Sequence, residues 1–441
     1  MPNHTPPNRP ELDAFWMPFT ASRQFKAEPR MLVSAEGMYY QSEDGRPILD
    51  GTAGLWCCNA GHGRQQISEA VSQQIQQLDF APTFQMGHPL PFQLAQRLAG
   101  ISPEGLDRVF FTNSGSESVD TALKIALAYQ KLRGKAGKTR LIGREKGYHG
   151  TGFGGISVGG LGNNRRSFGS LLPGVDHLKH AWVPGSEFTK GQPANGAELA
   201  NELEEMVLLH GAENIAAVIV EPVVGSGGVW MPPQGYLQRL REITSAHDIL
   251  LIFDEVITGY GRVGEAFAAQ RFGVTPDIIT TAKGLTNGAI PMGAVFINNA
   301  IYEEFMQGPV EAIELFHGYT YSGHPVAAAA ALATMDIYQQ ENLFRKAIEL
   351  EDDWAEALHS LAEFDIVKDI RNIGLVGAVE FKPGSKIGQR GYDVFQHCFW
   401  QGNALVRCTG DIIAMSPPLI VNREQITQLI DSMRNAIKSL Y

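Results

Sequence analysis

"DIITTAKGLTNGAIPMGAVFI", residues 277–297, sets one lysine between two β-forming runs. Ile278, Ile279, Thr280 and Thr281 come before Lys283, a turn composition of Gly284, Leu285, Thr286, Asn287 and Gly288 comes after it, and "GAVFI" (293–297) resumes an apolar strand. Runs of this kind, apolar without alternation, read as strands covered on both faces. A lysine at the mouth of such a strand is partly desolvated. Its pKa falls, and the neutral amine becomes available as a nucleophile. Taken singly, a surface lysine after a strand is the commoner case, so the reading of Lys283 depends on its company.

The same texture extends outward. "RVFFT" (108–112), "AAVIVEP" (216–222) and "ILLIFDEV" (249–256) are further strand candidates, separated by helical patterns from about 66 to 320. Apolar strands alternating with helices predict a mostly parallel sheet with helices on both sides. Upstream, "MLVSAEGMYYQSEDGRPILD" (31–50) alternates apolar and polar residues, and Asp44-Gly45 predicts a hairpin turn. After about 335 the pattern is helix, strands, helix. Ile426, Leu429, Ile430, Met433 and Ile437 share a helix face, and Asn422 is placed to cap it. The expectation is an α/β chain with a large domain over 65–325 and a smaller α+β domain over 326–441, joined by the N-terminal segment 1–64. Residues 1–10, rich in Pro and Asn, read as loose.

The totals narrow the function. Lys+Arg 36 against Asp+Glu 47 gives the 441-residue chain a net charge of −11, without the basic field of a nucleic-acid binder. Four cysteines, Cys57, Cys58, Cys398 and Cys408, form no CxxC pair and read as free thiols of a reducing compartment. The N-terminus has no apolar signal core, and no run approaches the roughly 20 apolar residues of a membrane span. A cytoplasmic protein is expected.

Two further stretches give Lys283 its company. In "FFTNSGSESVDTALKIAL" (110–127) a strand runs through a small-residue turn into a helix, with Ser114 and Glu117 at capping-box spacing. Such a helix start offers free N–H groups and a positive dipole end to a phosphate, aided by the hydroxyls of Ser114 and Ser116. In "LLIFDEVITGYGR" (250–262) an apolar strand ends in Asp254, with Val256 on the same side. A plain capped helix and a strand-end capping aspartate are the ordinary alternatives. The chain lacks the GxxxxGK[ST] partner that would make Asp254-Glu255 a Walker B pair, and it lacks a GxSxG elbow. "GFGGISVGGLG" (152–162) reads as a flexible loop. His177 and His180 read as structural, and no metal site is expected. A phosphate cradle, a strand-end carboxylate and an amine on one α/β domain answer the needs of pyridoxal 5′-phosphate. Its aldehyde takes a lysine, its pyridine nitrogen a carboxylate and its phosphate a helix N-terminus.

With these residues in place, the sequence resembles the class III (ω-) aminotransferases of the fold-type I pyridoxal-phosphate enzymes. "TNSGSESVDTALK", "GYHG", "VIVEPVVGSGGV", "LLIFDEVITGYGR", "AKGLTNGAIPMGAV" and "HGYTYSGHP" carry the likeness, and "WMPFT" and "GYTYSGHP" are most similar to the β-alanine/ω-amino acid:pyruvate branch. The resemblance implies a PLP-dependent transferase fold with a mostly parallel seven-stranded sheet. It also implies a homodimer or tetramer with active sites at the dimer interface, acting on an amine and a keto acid. By position it implies that Lys283 takes the cofactor covalently and shuttles the proton, that Asp254 pairs with the pyridine nitrogen, and that Val256 and Tyr148 cover the ring faces. Ser114, Gly115 and Ser116 would hold the phosphate, with Thr320 reaching in from a second subunit and Glu221 supporting the site near Asp254. Leu55, Trp56 and Arg407 would bind substrate, Arg407 through its carboxylate. Trp56 as plain core and Arg407 as a surface ion pair remain the ordinary alternatives. One departure bears on the acceptor. Where related ornithine and 4-aminobutyrate enzymes carry "EPxQGE", this chain has "EPVVGSG", with Val224 and Ser226. The glutamate that would neutralise the arginine is missing, which favours pyruvate over 2-oxoglutarate. Another amine donor (a diamine, taurine or 4-aminobutyrate), an aminomutase or decarboxylase, and a silent scaffold are the competing readings.

Overall fold

The structure is a computed structural model and describes residues 9–441; the expectation of a loose stretch over 1–10 falls, through residue 8, outside the described residues. In chain order the strands are β1 (Leu32–Glu36), β2 (Tyr39–Ser42), β3 (Pro47–Asp50), β4 (Arg108–Thr112), β5 (Arg140–Arg144), β6 (Val175–Leu178), β7 (Ile215–Val220) and β8 (Leu250–Asp254). They continue with β9 (Ile278–Thr281), β10 (Gly293–Ile297), β11 (Val367–Ile373), β12 (Val376–Phe381), β13 (Ala404–Leu405), β14 (Arg407–Thr409) and β15 (Ile412–Met415).

Seven of them form the central sheet in the order β4-β10-β9-β8-β7-β5-β6. The pairs β5·β6, β5·β7, β7·β8 and β8·β9 are parallel, while β10 runs antiparallel to both β4 and β9. Strand β4 therefore points the same way as β9. The chain leaves β4, β5, β7, β8 and β9 at one edge of the sheet, where open α/β sheets bind ligands. Every residue of β7, β8, β9 and β10 is buried, as uninterrupted apolar runs require.

Strands β5 and β6 escaped the reading of apolar runs for a physical reason. β5 begins and ends with arginine, and Arg144 is buried, donating to the Glu221 carbonyl at 2.5 Å with its guanidinium over Tyr236. β6 is a half-buried edge strand carrying Asp176 and His177. The glycines of 152–162 also act otherwise than expected. Residues Phe153–Val158 are helical, and a Cβ at Gly143 or Gly155 would fall 1.8 Å from the Val158 carbonyl oxygen or 2.1 Å from that of His149. These glycines permit close backbone contact, and the segment is packed against the sheet.

The 31–50 stretch is a three-stranded meander. It turns at Gly37 and again through Asp44-Gly45, where the hairpin was expected. β13 then pairs parallel with β3, so the C-terminal part of the chain completes the N-terminal sheet. A third sheet, β11-β12-β15-β14, presents Arg407 at the first residue of β14. The last helix, Arg423–Leu440, is capped by Asn422, with Ile426, Leu429, Ile430, Met433 and Ile437 buried.

Candidate active site

The helix Gly115–Leu132 opens where β4 ends. The Ser114 hydroxyl accepts from the Glu117 amide at 3.2 Å. The return arm of this capping box is displaced by one residue, since the Glu117 carboxylate accepts from the Asn113 amide at 2.7 Å. The amides of Gly115 and Ser116 donate to no protein group among the described residues and stand at the positive end of the helix. The loop after β5 crosses this helix start closely. A Cβ at Gly150, whose φ is +90°, would lie 2.5 Å from Ser116 Oγ and 2.6 Å from Ser116 Cα, so only glycine brings the loop this near.

Asp254 ends β8. Its Oδ1 accepts from the Val256 amide and the Thr280 hydroxyl, both at 3.2 Å, and its Oδ2 accepts from His149 Nδ1 at 2.8 Å. A carboxylate has about four acceptor positions. Three are filled from the protein, and the remaining one, on Oδ2, is left for a donor in the cavity that Asp254 lines. Glu221, just beyond β7, accepts from the amides of Tyr148 at 2.8 Å and Gly225 at 2.9 Å. Burial pushes its carboxyl up to about 7, with neighbouring Asp254 adding in the same direction and His149 opposing.

Lys283 follows β9 by two residues. Its backbone is left-handed at φ 47°, an uncommon conformation for a side-chain-bearing residue and one that clusters at functional sites. Withdrawal from water lowers its pKa, while Cys57, Asp254 and Glu221 act weakly against that shift. A cavity of about 110 Å³ is lined by Lys283, Asp254, Val256, Gly115, Ser116, Tyr148, His149, Gly150, Glu221, Ile257 and Ala282. The structure thus gathers Lys283, Asp254, Val256, Glu221, Tyr148, Gly115 and Ser116, with Ser114 capping the helix behind them.

Arg407 and Leu55 line a different, outer cavity of about 360 Å³. Desolvation lowers the pKa of Arg407, and its Nε is buried without a partner. No ion pair neutralises it among the described residues, in keeping with Val224 and Ser226 where the related enzymes carry their Gln and Glu. Leu55 and Trp56 sit on a strained loop: Ala53, Gly54 and Trp56 all have positive φ. Asp50 holds that loop, accepting from the amides of Thr52 at 2.8 Å and Gly54 at 2.6 Å and pairing with His62 at 2.7 Å. Trp56 is buried and lines neither cavity. Thr320 is exposed and also stands outside both, in a segment tied to its own chain through Tyr319 and His317, which bond Thr121. Sequence reasoning gave His149 no role, although "GYHG" displayed it. The available signal was local only: a histidine beside Gly150 in the same short motif as Tyr148.

The fold and this constellation define a PLP-dependent transferase of the α/β type. The family model for class-III aminotransferases matches residues 20–437, and the chain belongs to that family. An omega-aminotransferase of Caulobacter vibrioides is 60% identical over 430 residues, covering 97% of this chain and 98% of that protein. A beta-alanine–pyruvate aminotransferase of Pseudomonas aeruginosa is 49% identical over 445 residues, 99% of each. The crystal structure of an amine transaminase from an uncultivated Pseudomonas species, in a PLP-bound form, matches with a TM-score of 0.91 at 36% identity over 97% of this chain and 99% of that one. Membership implies dependence on pyridoxal phosphate. The residues present fit that group, with two unspent amides at a helix start, an open acceptor position on Asp254 and an amine of lowered pKa on one cavity.

Proposed function

We propose that this chain is an ω-amino acid:pyruvate aminotransferase, transferring the amino group of a short primary amine such as β-alanine to pyruvate and giving L-alanine. The observation that carries the reading is the convergence of Lys283, Asp254 and the helix start at Gly115 on one cavity, next to an un-neutralised Arg407. The name of the 49% identical relative, a beta-alanine–pyruvate aminotransferase, supports the same substrates, and that of the 60% identical one supports the ω-class of the reaction.

When bound, pyridoxal phosphate supplies an aldehyde that takes up and returns an amino group and a ring that draws off electrons. Ser114, Gly115 and Ser116 would hold its phosphate, and Val256 and Tyr148 would flank its ring. Asp254 Oδ2 would pair with its ring nitrogen, and Glu221 holds Tyr148 through the backbone amide. Lys283 Nζ, its pKa lowered by desolvation, would bind the aldehyde and act as the base and acid that moves the proton of the substrate carbon. Arg407 would receive the substrate carboxylate, Leu55 would shape its approach from the wall of the same cavity, and Trp56, buried behind, would support the loop that carries Leu55. We assign the large domain to 65–325 and the smaller one to 326–441 with 1–64. The active unit is at least a homodimer, in the cytoplasm, with Thr320 serving the other subunit's phosphate. The test is direct: β-alanine and pyruvate are consumed one for one as alanine forms, with parallel double-reciprocal plots. Consumption of amine without a keto acid acceptor overturns the assignment in favour of a mutase or decarboxylase.

A further inference from the structure

The outer cavity holds a second guanidinium, that of Arg30. Arg30 Nη1 donates to Gln396 Oε1 at 2.9 Å, and its guanidinium carbon stands 5.3 Å and 5.2 Å from the ring centroids of Phe25 and Phe395. Like Arg407, it has no carboxylate partner among the described residues. No lining residue of the cavity is acidic; the walls are apolar or uncharged, with Phe19, Leu55 and Tyr392 among them. Stacking on two rings fixes the plane of the guanidinium without neutralising it, and four of its five N–H donors stay unspent. Two cations without an anion, in a concave apolar space of ligand size, concentrate anions with hydrocarbon bodies. Arg407 couples the two cavities through its charge. It lines the outer one, and its charge acts on Tyr148 and Lys283 of the inner one.

We propose that Arg30 is an outer carboxylate anchor, so that the enzyme accepts ω-amino acids in two length classes. Short donors place their carboxylate on Arg407. Longer ones run past it along Phe19 and Leu55 and place theirs on Arg30, with both classes presenting the amine to Lys283. The inference rests on the aminotransferase reading above. It adds a specificity residue set apart from the reacting centre.

The test compares β-alanine, 7-aminoheptanoate and heptylamine as donors to pyruvate, in the wild type, Arg30→Met and Arg30→Gln. Arg30→Gln is included in case the methionine variant folds poorly. The expected result is a loss of kcat/KM for 7-aminoheptanoate of about tenfold or more, with losses for β-alanine and heptylamine at least about fivefold smaller. Equal losses for all three donors, or no loss for 7-aminoheptanoate, overturn the proposal. Titration of the holoenzymes with heptanoate, which carries no amine, reads the anchor without turnover. Weaker binding in the variants supports Arg30 even if no donor is used, in which case only the functional reading fails. Equal affinity overturns the anchor.

Discussion

Replacing His149 by alanine removes the Nδ1 donor that meets Asp254 Oδ2 at 2.8 Å. A carboxylate oxygen can only accept in this contact, so Nδ1 is the donor, while Nε2 is buried without a partner among the described residues. Both side chains are almost wholly shut off from water, so the substitution removes a donor from a desolvated pair. A hydrogen bond to a charged group contributes roughly 1.5–3 kcal/mol, which is about ten- to a hundredfold in a rate or binding constant. The expected outcome is a fall of that size in kcat/KM for β-alanine and pyruvate, with the fold retained by circular dichroism. His149→Asn sets an amide nitrogen near the place of Nδ1 and should recover most of the loss, which a purely space-filling role would not predict. The reasoning is refuted if the alanine variant stays within about threefold of wild type, or if asparagine does no better than alanine.

Asp254→Asn should retain cofactor on dialysis yet lose most turnover, because an amide does not keep a proton on the ring nitrogen; unchanged turnover would reduce Asp254 to a strand cap. Arg407→Ala should weaken carboxylate-bearing substrates by roughly 2–5 kcal/mol and spare neutral aryl-alkyl amines, measured as kcat/KM for each. Glu221 makes a prediction about pH. Its carboxyl is raised from 4.5 to about 7, so the folded chain holds a proton that the unfolded chain releases between those values. Stability contributed by this group is therefore lost as pH rises from about 4.5 to 7, by about 3 kcal/mol at most. Urea unfolding of Glu221→Gln at pH 5 and pH 8 should show a smaller difference between the two pH values than the wild type shows.

The parts of the site that were legible in the sequence are those where backbone and chemistry share one local signal. The Ser-Gly-Ser turn, the strand ending in Asp254 and the lysine after "DIITTA" each combine a strand end with a side chain of fitting chemistry, and the sheet brings them to one edge. β5 could not be seen as an apolar run because it begins and ends in arginine, Arg140 paired with Asp176 at 2.7 Å and Arg144 solvated internally by a backbone carbonyl and an aromatic face. The glycines of 152–162 looked mobile because local composition does not reveal that a helix lies within van der Waals reach of the sheet. His149 and Arg30 gain meaning only through partners far along the chain, Asp254 for the one and Phe395 and Gln396 for the other. The position of Thr320 outside its own chain's cavities likewise has no local sign.

The central claim is that Lys283 holds the cofactor covalently. Borohydride reduction of the holoenzyme, followed by digestion and mass mapping, tests it at a single atom. The account predicts one phosphopyridoxyl mass per chain, on the peptide containing Lys283. The same mass on any other lysine, or no stable label after reduction of a cofactor-loaded enzyme, would contradict it.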